Sequence, residues 1–113
     1  MHFAYAMAEL RFPSALKQFP EQGQFWTTAH FLNDTQNDWS LLVWFDKPVT
    51  AGESMTIPVT LLVPEATANL FVPEAGFELF LRSNGEKAQG RIISVVEVTK
   101  EELHRVFHTP SQL

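Results

Sequence analysis

Apolar and polar positions alternate with a period of two through most of the chain, the spacing of strands with one side in a core. From Ala4 to Phe12, Ala6, Ala8, Leu10 and Phe12 fall on one face, with Glu9 and Arg11 on the other. Gln24 to Leu32 repeats the pattern, placing Phe25, Thr27, Ala29 and Phe31 opposite Trp26, Thr28, His30 and Leu32. Trp39 to Phe45 is nearly all apolar, so it reads as a third strand without showing which side is buried. Met55, Ile57, Val59, Leu61 and Val63 line one face of a fourth, Glu53 to Val63. Phe77 to Ser83 and Lys87 to Val98 complete a set of six.

Breakers separate these segments. Pro13, Pro20, Gly23, the run Asn33 to Asp38, and Pro48 with Gly52 all fall between strands, where their restricted or permissive backbones suit turns. Asn84-Gly85 carries the strongest hairpin signal, because both residues accept the positive φ angles of a type I′ turn. Two places resist a simple reading. Pro58 lies inside the fourth strand, which predicts a sheet edge or a bulge there. Leu70, Phe71 and Val72 lie among Pro64, Pro73 and Gly76 and read either as a short strand or as a loop tucked over one end.

The period changes at the C-terminus. Thr99-Lys100-Glu101-Glu102 matches a capping box, and Leu103, Val106 and Phe107 then share one helical face, predicting a short helix from Thr99 to His108 ended by Pro110. The expected organisation is one all-β domain: residues 1–98 a small antiparallel barrel or sandwich, residues 99–113 its helix and tail.

Composition narrows the function classes. The 113 residues carry 8 basic and 13 acidic side chains, a net charge of -5, which disfavours binding to phosphate backbones. There is no cysteine, so thiol catalysis and cysteine-ligated metals are excluded. No apolar run reaches the roughly 18 residues that span a bilayer, and the first residues lack a basic signal region, so a soluble, cytoplasmic protein without membrane attachment is expected.

From Ala51 onward the sequence resembles the C-terminal, third, β-barrel domain of elongation factor Tu and related GTP-dependent translation factors. The segment AGESMTIPVTLLVP, Ala51 to Pro64, carries the likeness through Val59, Thr60, Leu61 and Pro64. In GFELFLRSNGEKAQGRIISVV, Gly76 to Val96, it is carried by Gly76, Leu81, Arg82, Gly85 and Ile92. The resemblance implies a closed six-stranded antiparallel barrel. It also implies a domain that docks on proteins, since the family domain contacts its own GTPase domain and exchange factors. The chain departs from the family in lacking a G-x-x-x-x-G-K-[ST] phosphate loop. PEQGQFW, Pro20 to Trp26, and KAQGR, Lys87 to Arg91, also lack the arginine and most of the glycines that lie near transfer RNA in the family.

The candidate chemistry points to binding. Phe25, Trp26, Phe31, Trp39, Trp44, Phe45, Phe77 and Phe80 exceed what one side of a small barrel holds, so alternation sends some rings outward, where exposed aromatics with polar neighbours suit protein contacts. The expected partner surface comprises Trp26, Trp39, Trp44, Phe80, Arg82 and Arg91, contacting a protein without catalysis or cofactor. Burial of these rings under the C-terminal helix and the Pro64 to Gly76 segment is the opposing expectation. A transfer-RNA-binding accessory is the alternative, and requires Arg82, Lys87 and Arg91 to gather into a positive patch. A small enzyme or metal-binding protein is a further one: Glu101, His104 and His108 fall near one helical face, and His30 would be a candidate acid–base group. Glu78 and Glu97 are expected to oppose Arg82 and Arg91 across the last hairpin.

Overall fold

A computed structural model describes residues 3–14, 23–62, 67–81 and 87–107. Val63, Arg82, the Asn84-Gly85 turn and His108 lie outside the described residues.

The six expected strands form as β1 (Phe3–Arg11), β2 (Gly23–Phe31), β3 (Asp38–Phe45), β4 (Ser54–Leu61), β5 (Gly76–Phe80) and β6 (Lys87–Val98), with α1 (Thr67–Leu70) before β5 and α2 (Lys100–Phe107) at the end. They close into an antiparallel barrel in the order β1-β4-β3-β2-β5-β6. Closure explains why six short strands hold together, since no strand presents a full unpaired edge to other chains.

The interior follows the period of two. Ala6, Ala8, Leu10 and Phe12 of the first segment are buried, as are Ala29 and Phe31 of β2 and Met55, Ile57, Val59 and Leu61 of β4. A six-stranded barrel is narrow, and its filling is asymmetric. The adjacent strands β1 and β6 contribute Ala4, Ala6, Ala8, Ala88 and Gly90, which leaves room for Phe31, Phe45 and Phe77 from the other strands. Phe31 and Phe77 stack at 5.0 Å, and Phe45 meets Phe12 and Phe25 at 6.0 and 5.7 Å.

The apolar trio resolves as a helical turn and the residues after it. Leu70 and Phe71 join the barrel core, Phe71 lying 6.3 Å from Phe31, while Val72 is exposed. These residues join no ladder; instead two apolar side chains plug one end of the barrel.

Pro58 departs from expectation. β4 lies between β1 and β3, so it is no edge, and the register shift in this sheet falls between β1 and β6 at Met7 and Ala8. The β3–β4 ladder pairs Leu41–Val43 with Val59–Leu61 and stops one residue short of Pro58. Pro58 also pairs with Met7 of β1, but the Leu62 N–H donates to the Ser40 carbonyl on the β3 side and the Glu53 carbonyl accepts from Phe12 on the β1 side. Even-numbered positions of β4 thus turn their backbone groups to β3, and the missing N–H falls where that ladder has ended.

The capping box forms as read. Glu102 N–H donates to Thr99 Oγ1 at 3.2 Å, and the Thr99 N–H donates to Glu102 Oε1 at 3.1 Å. Phe107 is fully buried at the other end of α2, its ring edge-on to Tyr5 at 6.3 Å, so the helix packs on the outside of β1 and β6.

The Glu102 carboxyl is held below the usual glutamate range, mainly by the Thr99 backbone N–H, with the Thr99 hydroxyl and the charge of Arg105 adding. A lowered folded value contributes stability above the unfolded value near 4.3 and loses it as the pH falls through the folded one. Glu102→Gln keeps an acceptor but no charge. The variant should melt below wild type at pH 7, and the two should converge once the pH has fallen through the lowered folded value, where both side chains are uncharged. Thr99→Ala, followed by urea denaturation, should cost about 1 kcal/mol.

Candidate aromatic interface on β3, β2 and β5

Interior placement of Leu41, Val43 and Phe45 fixes the phase of β3 and sends Leu42 and Trp44 outward. On β2 the same rule turns Gln24, Trp26, Thr28 and His30 outward. The register sets Trp26 beside Leu42 and Gln24 beside Trp44, so the two indoles are diagonal neighbours on one outer face. Phe80 extends the face onto β5, because Ala29 pairs with Leu79 and His30 with Glu78.

Trp26 is the most open of these rings, 41% exposed, while Trp44 and Phe80 are half-buried. Leu42 is 1% exposed although it points away from the barrel core, with Trp26 on one side and Thr60 on the other. Thr60 is itself buried and donates to the Ala4 carbonyl at 2.8 Å. The face thus has a closed floor and open rings.

A narrow cleft cuts into it. The β2–β5 ladder pairs three residues, Ala29 to Phe31 with Phe77 to Leu79, while β2 runs back to Gly23. Below that ladder the Thr27 hydroxyl bonds the Phe80 carbonyl. The cleft lies there, about 300 Å³ counting the open space at its mouth, with Phe25, Val43, Phe45, Leu79 and Leu81 at its sides and Trp26 and Phe80 on its lips.

Above the cleft, sharing Phe80 as a wall, is a polar groove of about 650 Å³, open to solvent and lined by His30, Thr35, Gln36, Asp38, Glu78 and Lys87. His30 Nδ1 lies 3.0 Å from Asp38 Oδ1. Lys87 Nζ is 3.8 Å from Glu78 Oε1 and 5.1 Å from the centre of the Phe80 ring. A carboxylate on Nδ1 orients an imidazole as in acid–base sites, but this pair stands in an open groove whose Asp38 side chain is 54% exposed. The geometry favours contact with a charged group over activation of a buried one.

The remaining candidate residues lie apart from this face. Trp39 points inward, packs against the core and donates its ring N–H to Asp34 Oδ2 at 3.0 Å. Arg91 stands on the outside of β6, opposite Glu9 and Gly76. One guanidinium nitrogen is 3.0 and 2.8 Å from the two Glu74 carboxylate oxygens, and the other is 3.4 Å from Glu9. Glu74 and Glu9 hold the Arg91 guanidinium above even its usual range, the Glu74 hydrogen bonds first among the causes. Glu74 bears this contact in a left-handed backbone conformation, φ 72°, uncommon for any residue but glycine.

The hairpin pairing expected for Arg91 is therefore replaced. Glu78 lies opposite Gln89 in the register, and its charged contact is Lys87. Among the described residues no group of three or more His, Asp or Glu side chains is arranged to hold a metal ion.

The polar groove and the closed floor at Leu42 escaped sequence reasoning. Alternation had already put His30 and Glu78 outward, but their meeting with Asp38 depends on β2 pairing with both β3 and β5, which no local pattern states. No protein-family model matches the chain, and no curated protein matches it either.

Proposed function

We propose that the protein is a non-enzymatic, cytoplasmic binding module whose partner is a protein, docked on the outer face of β3, β2 and β5. The observation that carries this reading is Trp26: a large ring 41% exposed on a sheet face that continues through Leu42 and Trp44 on one side and Phe80 on the other. Among the described residues no side chain of α1 or α2 lines the cleft or the groove of that face; α2 packs chiefly on β1 and β6, and the residues at the end of α1 plug the barrel. Aromatic rings with a polar rim are what a protein interface needs at its centre and border.

The resemblance of Ala51 to Pro64 and of Gly76 to Val96 to the third domain of elongation factor Tu supports a further proposal, that this barrel is a relative of that domain. If the barrel is a relative of that domain, whether or not further domains flank it, its partner would be sought first among translation components. The net charge of -5 favours a protein over transfer RNA there.

A photo-crosslinking side chain placed at exposed Thr28, between Trp26 and His30, tests the reading in the native host. It should yield a discrete protein adduct, whereas the same group at exposed Thr56 on β4 should yield none. Adducts of equal yield from both positions would contradict a face-specific interface. Crosslinked RNA from Thr28 would transfer the face to the nucleic-acid alternative.

A further inference from the structure

We propose that this face takes an extended segment of its partner in which an apolar side chain and a basic side chain lie two or four positions apart. The inference rests on the protein-binding reading above and adds the chemistry of what is bound.

The spacing follows from the strands. Trp26, Thr28 and His30 succeed one another on the outside of β2, each step about 7 Å. The apolar cleft opens at Trp26 and Phe80, and the polar groove is built around His30, Glu78 and Asp38, so the two lie one to two steps apart along the seam. A chain laid along that seam presents every second side chain to the barrel. An aliphatic or aromatic group resting across Trp26 and Phe80 thus places the side chain two or four residues on over the groove.

The sign of the charge follows from the groove. Two carboxylates, Asp38 and Glu78, stand against one ammonium, Lys87, and a histidine. Lys87 lies 3.8 Å from Glu78, while Asp38, more than half exposed, pairs with the His30 imidazole rather than with the ammonium. The face of the Phe80 ring already accommodates the Lys87 ammonium, and a ring that holds one cation offers the same quadrupole to an arriving guanidinium. A basic side chain completes the balance, and an acidic one meets two like charges.

Lys87 therefore reports the partner's sign. Random dodecapeptides displayed on phage and selected on the whole chain supply the probe, and fluorescence polarisation of an enriched peptide supplies the affinities. Enriched sequences should pair Leu, Ile, Phe or Trp with Lys or Arg at even spacing. Lys87→Gln should tighten binding about threefold and Glu78→Gln should weaken it about threefold, as exposed charge pairs do. Trp26→Ala should weaken it about tenfold or more. Acidic peptides whose affinity falls on Lys87→Gln would overturn the inference while leaving the interface in place. Failure to enrich any even-spaced sequence would overturn it as well. Peptides bound equally well by Trp26→Ala would remove both the inference and the proposed interface.

Discussion

Gly90→Ala is expected to destabilise the barrel by about 3 kcal/mol, at the upper end of what overpacking costs, and to lower the melting temperature by roughly 12 °C. A Cβ at this position would lie 2.3, 2.5 and 2.7 Å from three carbons of the Phe77 ring. The ring has nowhere to go, being 1% exposed and stacked on Phe31 at 5.0 Å with an interplanar angle of 28°. Leu10 and Phe77 flank Gly90 in the two neighbouring strands, so backing away would strain the β1–β6 and β5–β6 ladders together. Phe77→Leu in the Gly90→Ala background should recover part of the loss. A melting temperature unchanged by Gly90→Ala would mean that Phe77 does not sit over the glycine and that the barrel is packed differently.

The second large effect is expected outside the barrel. Phe107 is fully buried yet belongs to none of the interior packing; it is the side chain by which α2 holds the outer surface at Tyr5. Phe107→Ala should cost about 3 to 4 kcal/mol if the helix and barrel unfold together. Because α2 packs chiefly on β1 and β6 among the described residues, part of that loss should appear as local detachment. Limited trypsin digestion should then cut after Lys100 and Arg105 well before the barrel is attacked. A variant as protease-resistant as wild type would show that α2 is held by other contacts.

Both predictions concern positions where alternation alone was insufficient. It placed Ala6, Ala8 and Leu10 inward correctly, since Glu9 and Arg11 interrupt the apolar run and mark the phase. β3 offered no such mark. Its outward Leu42 and Trp44 and its inward Trp39 became distinguishable only through pairing, with Ala29 opposite Trp39 and Trp26 opposite Leu42. Hence Trp26, Trp44 and Phe80 share a face while Trp39 closes the core with its N–H tied to Asp34. The capping box was legible because every group in it lies within four residues. The Arg91 cluster was not, because Glu9 and Glu74 are 82 and 17 residues away along the chain. Pro58 was misplaced for the same reason: whether a proline harms a strand depends on where the neighbouring ladder ends.

Binding is assigned to the open rings of β2 and β5. Trp26→Ser combined with Phe80→Ser removes both lips of the cleft while leaving the interior packing residues in place. The decisive quantity is the affinity of this double variant for the crosslinked partner, taken alongside its circular dichroism. A native spectrum with affinity reduced by a hundredfold or so, about 3 kcal/mol, is the predicted result. A native spectrum with affinity unchanged would contradict it.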